Sequence, residues 1–448
     1  MKNKLLASIW IISATFTSGQ IFSPNPNQAL IGGAAGYTWI DGKPYYSIHL
    51  FPEISFAKFG IGFDLNLDFD YNGKIRSENF DETSDYLSLI RYVRYGQKKD
   101  PFYARLGALD FATIGHGSIM YLYNNTPSFD SRKIGMELDI DFDLYGVESV
   151  YSTFAESGII GLRFFTRPLL TTELATVPVI GAFEIGATYS NDFNKNAGVT
   201  EVSFDAVKDK YKTIEDLGPT QIIGFDFSLP LLRTSAVNSD IYFDYAEILG
   251  FGNGRSAGIL FDFYGIGIVD IRTKFERRFN GINYIPTYFN YFYELERFQI
   301  DPKTNTVNSK IQLLKNGIDI GNSYYGELLF SVLNTFYIFG SYQRFDENPS
   351  DGALSLRTEI APQNASFVAR GGYDKIDIKS ESDLFALDNR SFLFAELGYK
   401  LNAYVLVSMV YNWTFTPVRD VENNFIRYKP QRKIEPRISF IYPFNLRW

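Results

Sequence analysis

Residues 438–448 read ISFIYPFNLRW. Counting back from the end, every second position is apolar or aromatic: Trp448, Leu446, Phe444, Tyr442, Phe440 and Ile438. The alternate positions, Arg447, Asn445, Pro443, Ile441, Ser439 and Arg437, are mostly polar. A strict period of two predicts a β-strand with one apolar face and one polar face. A half-buried strand on an ordinary core would show the same pattern. The rest of the chain has to decide what the apolar face meets.

The two-sidedness recurs. Phe59, Ile61, Phe63, Leu65, Leu67, Phe69 and Tyr71 share one face, opposite Lys58, Gly60, Gly62, Asp64, Asn66, Asp68 and Asp70. In Lys133 to Leu144, Ile134, Met136, Leu138, Ile140, Phe142 and Leu144 oppose Gly135, Glu137, Asp139, Asp141 and Asp143. Strands of this length suit a tilted membrane crossing of roughly 9–11 residues. An open soluble sheet with such faces would aggregate along its edges, and closure into a barrel removes the edges. Candidate strands continue to the end of the chain, giving about 20 in all, within roughly 16 to 22.

Composition agrees. Aromatics are 17%, with 41 Phe and 31 Tyr, yet hydrophobic residues are only 45%. A barrel needs one residue in two to face lipid, plus aromatic girdles. With no Cys, disulfides, Cys-ligated metals, thiol catalysis and a lipoprotein anchor are all excluded. The net charge of −8 argues against nucleic-acid binding.

Lys2, Lys4 and the apolar run Leu5–Phe16 predict a signal peptide over 1–19, with 20–448 as one barrel domain. The polar lead 20–30 is too short for a plug domain of the TonB-dependent type. Links between strands alternate short and long, which predicts short periplasmic turns and longer extracellular loops. The long links of the N-terminal half (72–85, 111–132, 191–219) and those of the C-terminal third do not share one phase. A miscounted strand is expected between 265 and 320, in the aromatic segment Ile282–Glu296. Val202–Leu217 has helix-like composition and is expected to form a solvated loop helix.

The charges opposite the apolar stripes are the candidate lumen residues: Asp64, Asp68, Asp70, Arg91, Arg105, Glu137, Asp139, Asp141, Asp143, Arg163, Arg167, Arg272, Lys274 and Arg370. Carboxylates at Glu137, Asp139, Asp141 and Asp143 would stand about 6.8 Å apart along one strand face. They repel unless water or cations fill the space, and a neighbouring strand is expected to bring Arg105 within reach of them. Such charges either brace a solvated interior or set a transverse field that selects polar solutes. Asp68-x-Asp70-x-Asn72-Gly73 opens like a calcium loop but lacks the closing Glu, so a hairpin turn is expected. The chain has 2 histidines, His49 and His116. His116 beside Ser118 shows no convergent triad and no G-x-S-x-G is present, so no enzyme, catalytic residue, metal site or cofactor is expected.

Taken together, the export signal, the strand pattern and the final aromatic strand (Ile438, Phe440, Tyr442, Phe444, Leu446, Trp448) resemble a Gram-negative outer-membrane β-barrel of porin-like type. The resemblance implies an all-β, single antiparallel transmembrane barrel. It would be exported by the general secretory pathway and set in the outer membrane with help from periplasmic chaperones and the barrel-assembly machinery, which reads the last strand. Lipid and lipopolysaccharide would surround it, and small polar solutes would pass through it. The alternatives are a plugged barrel with a structural, adhesion or secretion-associated role, a hydrophobic-compound transporter, or a barrel hydrolase. Substrate, oligomeric state and exact strand number are not written in the sequence.

Overall fold

The computed structural model describes residues 28–80, 86, 89–98, 100–128, 132–177, 179–332, 336–346, 352–360 and 366–445. The expected signal peptide lies outside these residues, as do Leu446 and Trp448. Among the described residues there are 26 strand segments and only short helical turns, the longest being Lys310–Lys315. Among the described residues, no helix is long and apolar enough to cross a membrane.

Of these segments, 22 belong to one sheet. Each wall strand pairs antiparallel with the next, as Val237–Ile248 does with Gly252–Ile266. The ladder then returns to its start. Gln28–Ile40 pairs on one side with Lys43–Leu50, from Gly33↔Leu50 to Ile40↔Lys43. On the other side it pairs with Phe425–Asn445, from Gln28↔Asn445 to Ile40↔Lys433. First and last strands join, so among the described residues the circuit of strands closes on itself. The seam is tight: a Cβ on Gly36 would lie 2.2 Å from the Pro436 carbonyl oxygen.

The segment count exceeds the expected 20 for two reasons. Two long wall strands are each split by a one- or two-residue break, into Lys43–Leu50 with Glu53–Phe56 and Phe59–Phe63 with Leu65–Phe69. Four more segments form two hairpins off the wall, Val199–Asp205 with Lys210–Asp216 and Gln299–Asp301 with Thr306–Asn308. The first hairpin corrects the loop helix expected over Val202–Leu217. Asp205 accepts hydrogen bonds from the backbone of Val207 and Lys208, and Asp209 takes φ +49°, so the chain turns back before a helix can propagate.

The loop phase is also corrected. No strand is missing between 265 and 320, because Val269–Asn280 pairs directly with Ser323–Val332. The segment between them, 281–322, is a single long link on the same end of the barrel as 70–89, 108–134, 193–219 and 379–390, and the phases join. The opposite end carries mostly short turns, the link 167–183 excepted.

The faces are inverted relative to a water-soluble sheet. In Phe425–Asn445 the inward row Gln431, Lys433, Glu435, Arg437 and Ser439 is buried, while Ile438, Phe440 and Tyr442 are 58%, 47% and 44% exposed. The pattern repeats around the wall: Phe225, Phe275, Leu328, Leu397 and Met409 face out, while Asp244, Glu276, Arg370 and Glu396 face in and are buried. Charges are buried only when paired, and these are. Glu396 holds both Arg370 at 3.0 Å and Arg437 at 2.9 Å.

Candidate functional site

Two of the long links fold into the barrel. In 108–134, residues 112 and 123 bridge antiparallel with backbone hydrogen bonds of 2.9 and 3.0 Å, making an irregular inward hairpin. Its tip is Gly115-His116-Gly117, where the glycines take φ of +57° and +97°. A side chain on Gly115 would press on Arg163 at 3.1 Å, so the glycine serves both the turn and a close approach. The second segment, 281–322, lies alongside. Thr287 and Phe289 donate backbone hydrogen bonds to the Ser118 and Ile119 carbonyls (2.9 and 3.0 Å), and Tyr121 donates to Phe289 (3.1 Å).

The two segments share an apolar core. Leu109, Met120, Tyr123 and Phe289 are fully buried, packed with Tyr288, Tyr293, Ile311 and Leu314 against wall residues Val150, Ile159, Ile222 and Ile248. Tyr291, Phe292 and Leu295 continue to the other wall, meeting Phe392 and Phe415. Each such ring contributes about 1.5–3 kcal/mol by leaving water. Ile282–Glu296 lacks strand periodicity because its aromatic residues fill an interior instead of alternating across a wall.

Polar latches fix this insert. Glu294 accepts from Tyr123 Oη (2.6 Å), Lys133 Nζ (2.8 Å) and both terminal nitrogens of Arg297 (2.7 and 2.8 Å). Arg297 Nε reaches Asp192 on the wall at 2.6 Å. Burial disfavours the Glu294 carboxylate, but Arg297 and Lys133 outweigh it and bring its pKa down to about 2. His116 Nδ1 lies 2.8 Å from Asp244 Oδ1, its ring stacks on Tyr242 at 4.3 Å, and Lys274 Nζ donates to its carbonyl at 2.7 Å. Burial opposes a charged His116, yet Asp244 raises its pKa above the ordinary value. His116, Asp226 and Asp244 place ligand atoms within 4.8 Å of one another. Arg163 engages Asp226 with two nitrogens at 2.9 and 2.6 Å, so the group already contains its own cation and fits a metal poorly.

The remaining candidate charges fall into distinct places. Asp64 is buried between His49 (2.6 Å) and Arg132 (2.9 Å), and Asp68 is buried on the same face. Asp70 lies beyond its strand, where its side chain accepts from the backbone of Asn72 and Lys74 at 2.9 Å; it shapes the turn and is no wall charge. Asp143, at φ +64°, likewise sits exposed in the turn between Gly135–Asp141 and Tyr145–Tyr151. Both corrections have one cause: the strands end a residue or two before the apolar alternation does.

Arg91 sits at a bulge, where the pairing steps from Gly62↔Tyr92 to Phe63↔Ile90. Arg105 stands opposite Glu137 in register but turns to Asp110 at 2.9 Å, and Lys98 instead spans Glu137 (3.2 Å) and Asp139 (2.9 Å). Arg163 reaches Glu184 at 2.8 Å and Glu148 at 3.4 Å. Arg167 grips Asp141 and Glu184 at 2.9 Å. Arg272 pairs with Asp262, Lys274 with Glu276 at 3.4 Å, and Arg370 with Glu359 at 3.3 Å. Sequence reading missed Glu396, Arg437, Arg357 and Asp374, whose inward positions the strand period does encode. It also missed Glu294 and Arg297, which no period marks.

Three spaces lie around the insert. A cavity of about 510 Å³ is bordered by Lys98, Arg105, Asp139, Glu327, Arg357 and Glu359, with Phe111 and Tyr121 contributed by the inward hairpin. A second, of about 210 Å³, lies among Arg132, Lys133, Glu156, Arg297 and Arg419. A third, of about 40 Å³, at Arg91, Asp110, Asn124, Arg132 and Lys133, shares Asp110 with the first and Arg132 and Lys133 with the second.

A closed antiparallel sheet with an apolar exterior, a charged interior and an inserted loop pair defines the class of the fold as a β-barrel. Among solved structures, the chain is similar to Pseudomonas aeruginosa OccK11 (9% identity, 93% of this chain and 96% of that one, TM-score 0.32). It is similar to Acinetobacter baumannii OccAB3 (12%, 93% and 99%, 0.32). It is also similar to Wzi of Escherichia coli, described as an outer-membrane carbohydrate-binding β-barrel involved in group 1 capsule assembly (12%, 94% and 85%, 0.35). No protein-family model and no curated protein sequence matches the chain.

Proposed function

We propose that this protein is an outer-membrane channel through which small polar solutes pass without a cofactor. The observation that carries the reading is the inverted barrel: a row of large apolar side chains outside and a row of paired charges inside. Only a solvent as apolar as lipid favours the first, and only a water-bearing interior favours the second. The end bearing the long links faces outward and the end bearing short turns faces the periplasm. On this reading solutes would enter by the 210 Å³ cavity, pass Asp110, Asn124 and Arg132, which line the small space between, and reach the 510 Å³ one. His116 acts here as a latch on Asp244 and carries no catalysis.

A plugged barrel with a structural role is the second reading, favoured by the fully buried contacts of Met120, Tyr123 and Phe289 inside the lumen. Single-channel recording of the refolded chain in a planar bilayer separates the two. Stable current steps are expected. A heat-modifiable barrel that passes no current would sink the channel and leave the plugged scaffold.

A further inference from the structure

The larger cavity is unevenly charged. Its lining holds 9 carboxylates against 5 cationic side chains. Two of those cations are turned to acids outside the lining: Arg272 to Asp262, and Arg357 to Asp374 at 2.8 Å. Some of the lining acids are met from behind, as Glu359 is by Arg370. Even the paired acids keep a bare oxygen, Asp139 beside Lys98 at 2.9 Å and Glu359 beside Arg370 at 3.3 Å. Asp139 and Glu359 are 9% and 2% exposed, and each leaves one buried oxygen, Oδ1 and Oε2, with no hydrogen-bond partner among the described residues. Glu327 is held only by the hydroxyls of Tyr121 and Tyr325, with no ion pair among the described residues. A buried acceptor left bare is costly, so the Asp139 and Glu359 oxygens await a donor, and the Glu327 carboxylate has hydroxyls but no cation beside it among the described residues.

The spacing says what kind. The only described group whose His, Asp and Glu ligand atoms converge as a metal requires is His116, Asp226 and Asp244. Asp139, Glu327 and Glu359 come from three different strands and belong to no such group. They suit donors carried on an extended molecule. Between them the lining is aromatic: Phe111, Phe165, Tyr337 and Phe339. Such rings take the body of an alkyl amine and attract its charged end. A volume of about 510 Å³ is that of a small-molecule site.

We propose that this cavity binds an elongated organic cation, a diamine or an amine with an apolar body. The proposal rests on the channel reading, for which it names the solute class. Its test is independent of conduction. The full chain, refolded in detergent micelles and shown to be heat-modifiable, is titrated calorimetrically with 1,5-diaminopentane, pentane-1,5-diol, glutarate and calcium chloride.

Saturable binding of the diamine alone is expected. Glu327→Gln orphans no cation and should weaken it about tenfold or more, as the loss of one charged hydrogen bond does. Glu359→Gln should do the same. Equal binding of the diol or glutarate, displacement of the diamine by equimolar calcium, no diamine binding, or unchanged affinity in both variants would each overturn the proposal. A chain that binds diamine but passes no current keeps the site and loses the channel. A conducting chain that binds none does the reverse.

Discussion

Replacing Glu294 by Gln should loosen the insert without opening the barrel. The side chain keeps its shape and loses its charge, leaving Lys133 without its 2.8 Å partner and Arg297 with Asp192 alone. The magnitude can be worked in two ways. A carboxyl brought from its ordinary 4.5 to about 2 is held ionised by about 3 kcal/mol. Removing one member of a buried ion pair costs about 3–5 kcal/mol. The lower figure raises the open population of the insert about a hundredfold.

Hydrogen exchange followed by mass spectrometry reads this directly. Peptides covering 109–125 and 284–300 should lose about a hundredfold of protection, while wall peptides such as 239–248 keep theirs. The sign with pH follows. A depressed carboxyl contributes stability that is fully present above its unfolded value and is lost as pH falls through the folded one. The wild-type insert should therefore loosen between pH 4.5 and about 2, and the variant should show no such step. Unchanged protection in a heat-modifiable Glu294→Gln protein would refute the latch.

Other expectations follow from the wall and the hairpin tip. Gly36→Val sets a side chain against the Pro436 carbonyl at the seam and should cost about 1–3 kcal/mol or more in urea unfolding, whereas Gly340→Ala, whose Cβ meets Leu356 at an ordinary 3.5 Å, should cost little. Leu328→Arg places a charge on the outward apolar face and should lower stability in refolding into lipid vesicles by about 2–4 kcal/mol, an effect absent if that face does not meet lipid. His116, raised by Asp244, contributes stability below its ordinary 6.5 that is lost as pH rises through the elevated value. Exchange in 112–123, corrected for its intrinsic pH dependence, should rise over that interval, and Asp244→Asn should flatten the rise.

The wall was legible because a strand between lipid and water writes its two faces as alternate letters. Ile438, Phe440 and Tyr442 turn outward and Arg437 and Ser439 inward, as the period of two requires. Strand ends were less legible. Asp70 and Asp143 continue the alternation past the last paired residue, and only turn geometry removes them from the wall. The hairpin over Val202–Leu217 was misread because its lysines and acids have the composition of a helix, while its conformation depends on packing of Val199 and Val202 against Phe298, Ile300 and Val307. The insert was least legible. Tyr288, Phe289 and Tyr293 are placed by contacts with strands far away in sequence, and no local period reports such contacts. For the same reason the neighbours of Glu294 could not be read from the letters around it.

The seam between the first and last strands sets a demand on how the chain folds. Thr38 Oγ1 donates to the Ile434 carbonyl across 396 residues. Every other wall pairing joins wall strands consecutive along the chain and can form as the chain arrives, but this one waits for the last segment. Until then two strand edges with apolar faces stand open, and loop closure over that distance carries the largest entropy in the molecule. Folding should therefore be rate-limited by one very non-local event, slow and aggregation-prone in water, and sensitive to whatever shields the edges in the interval.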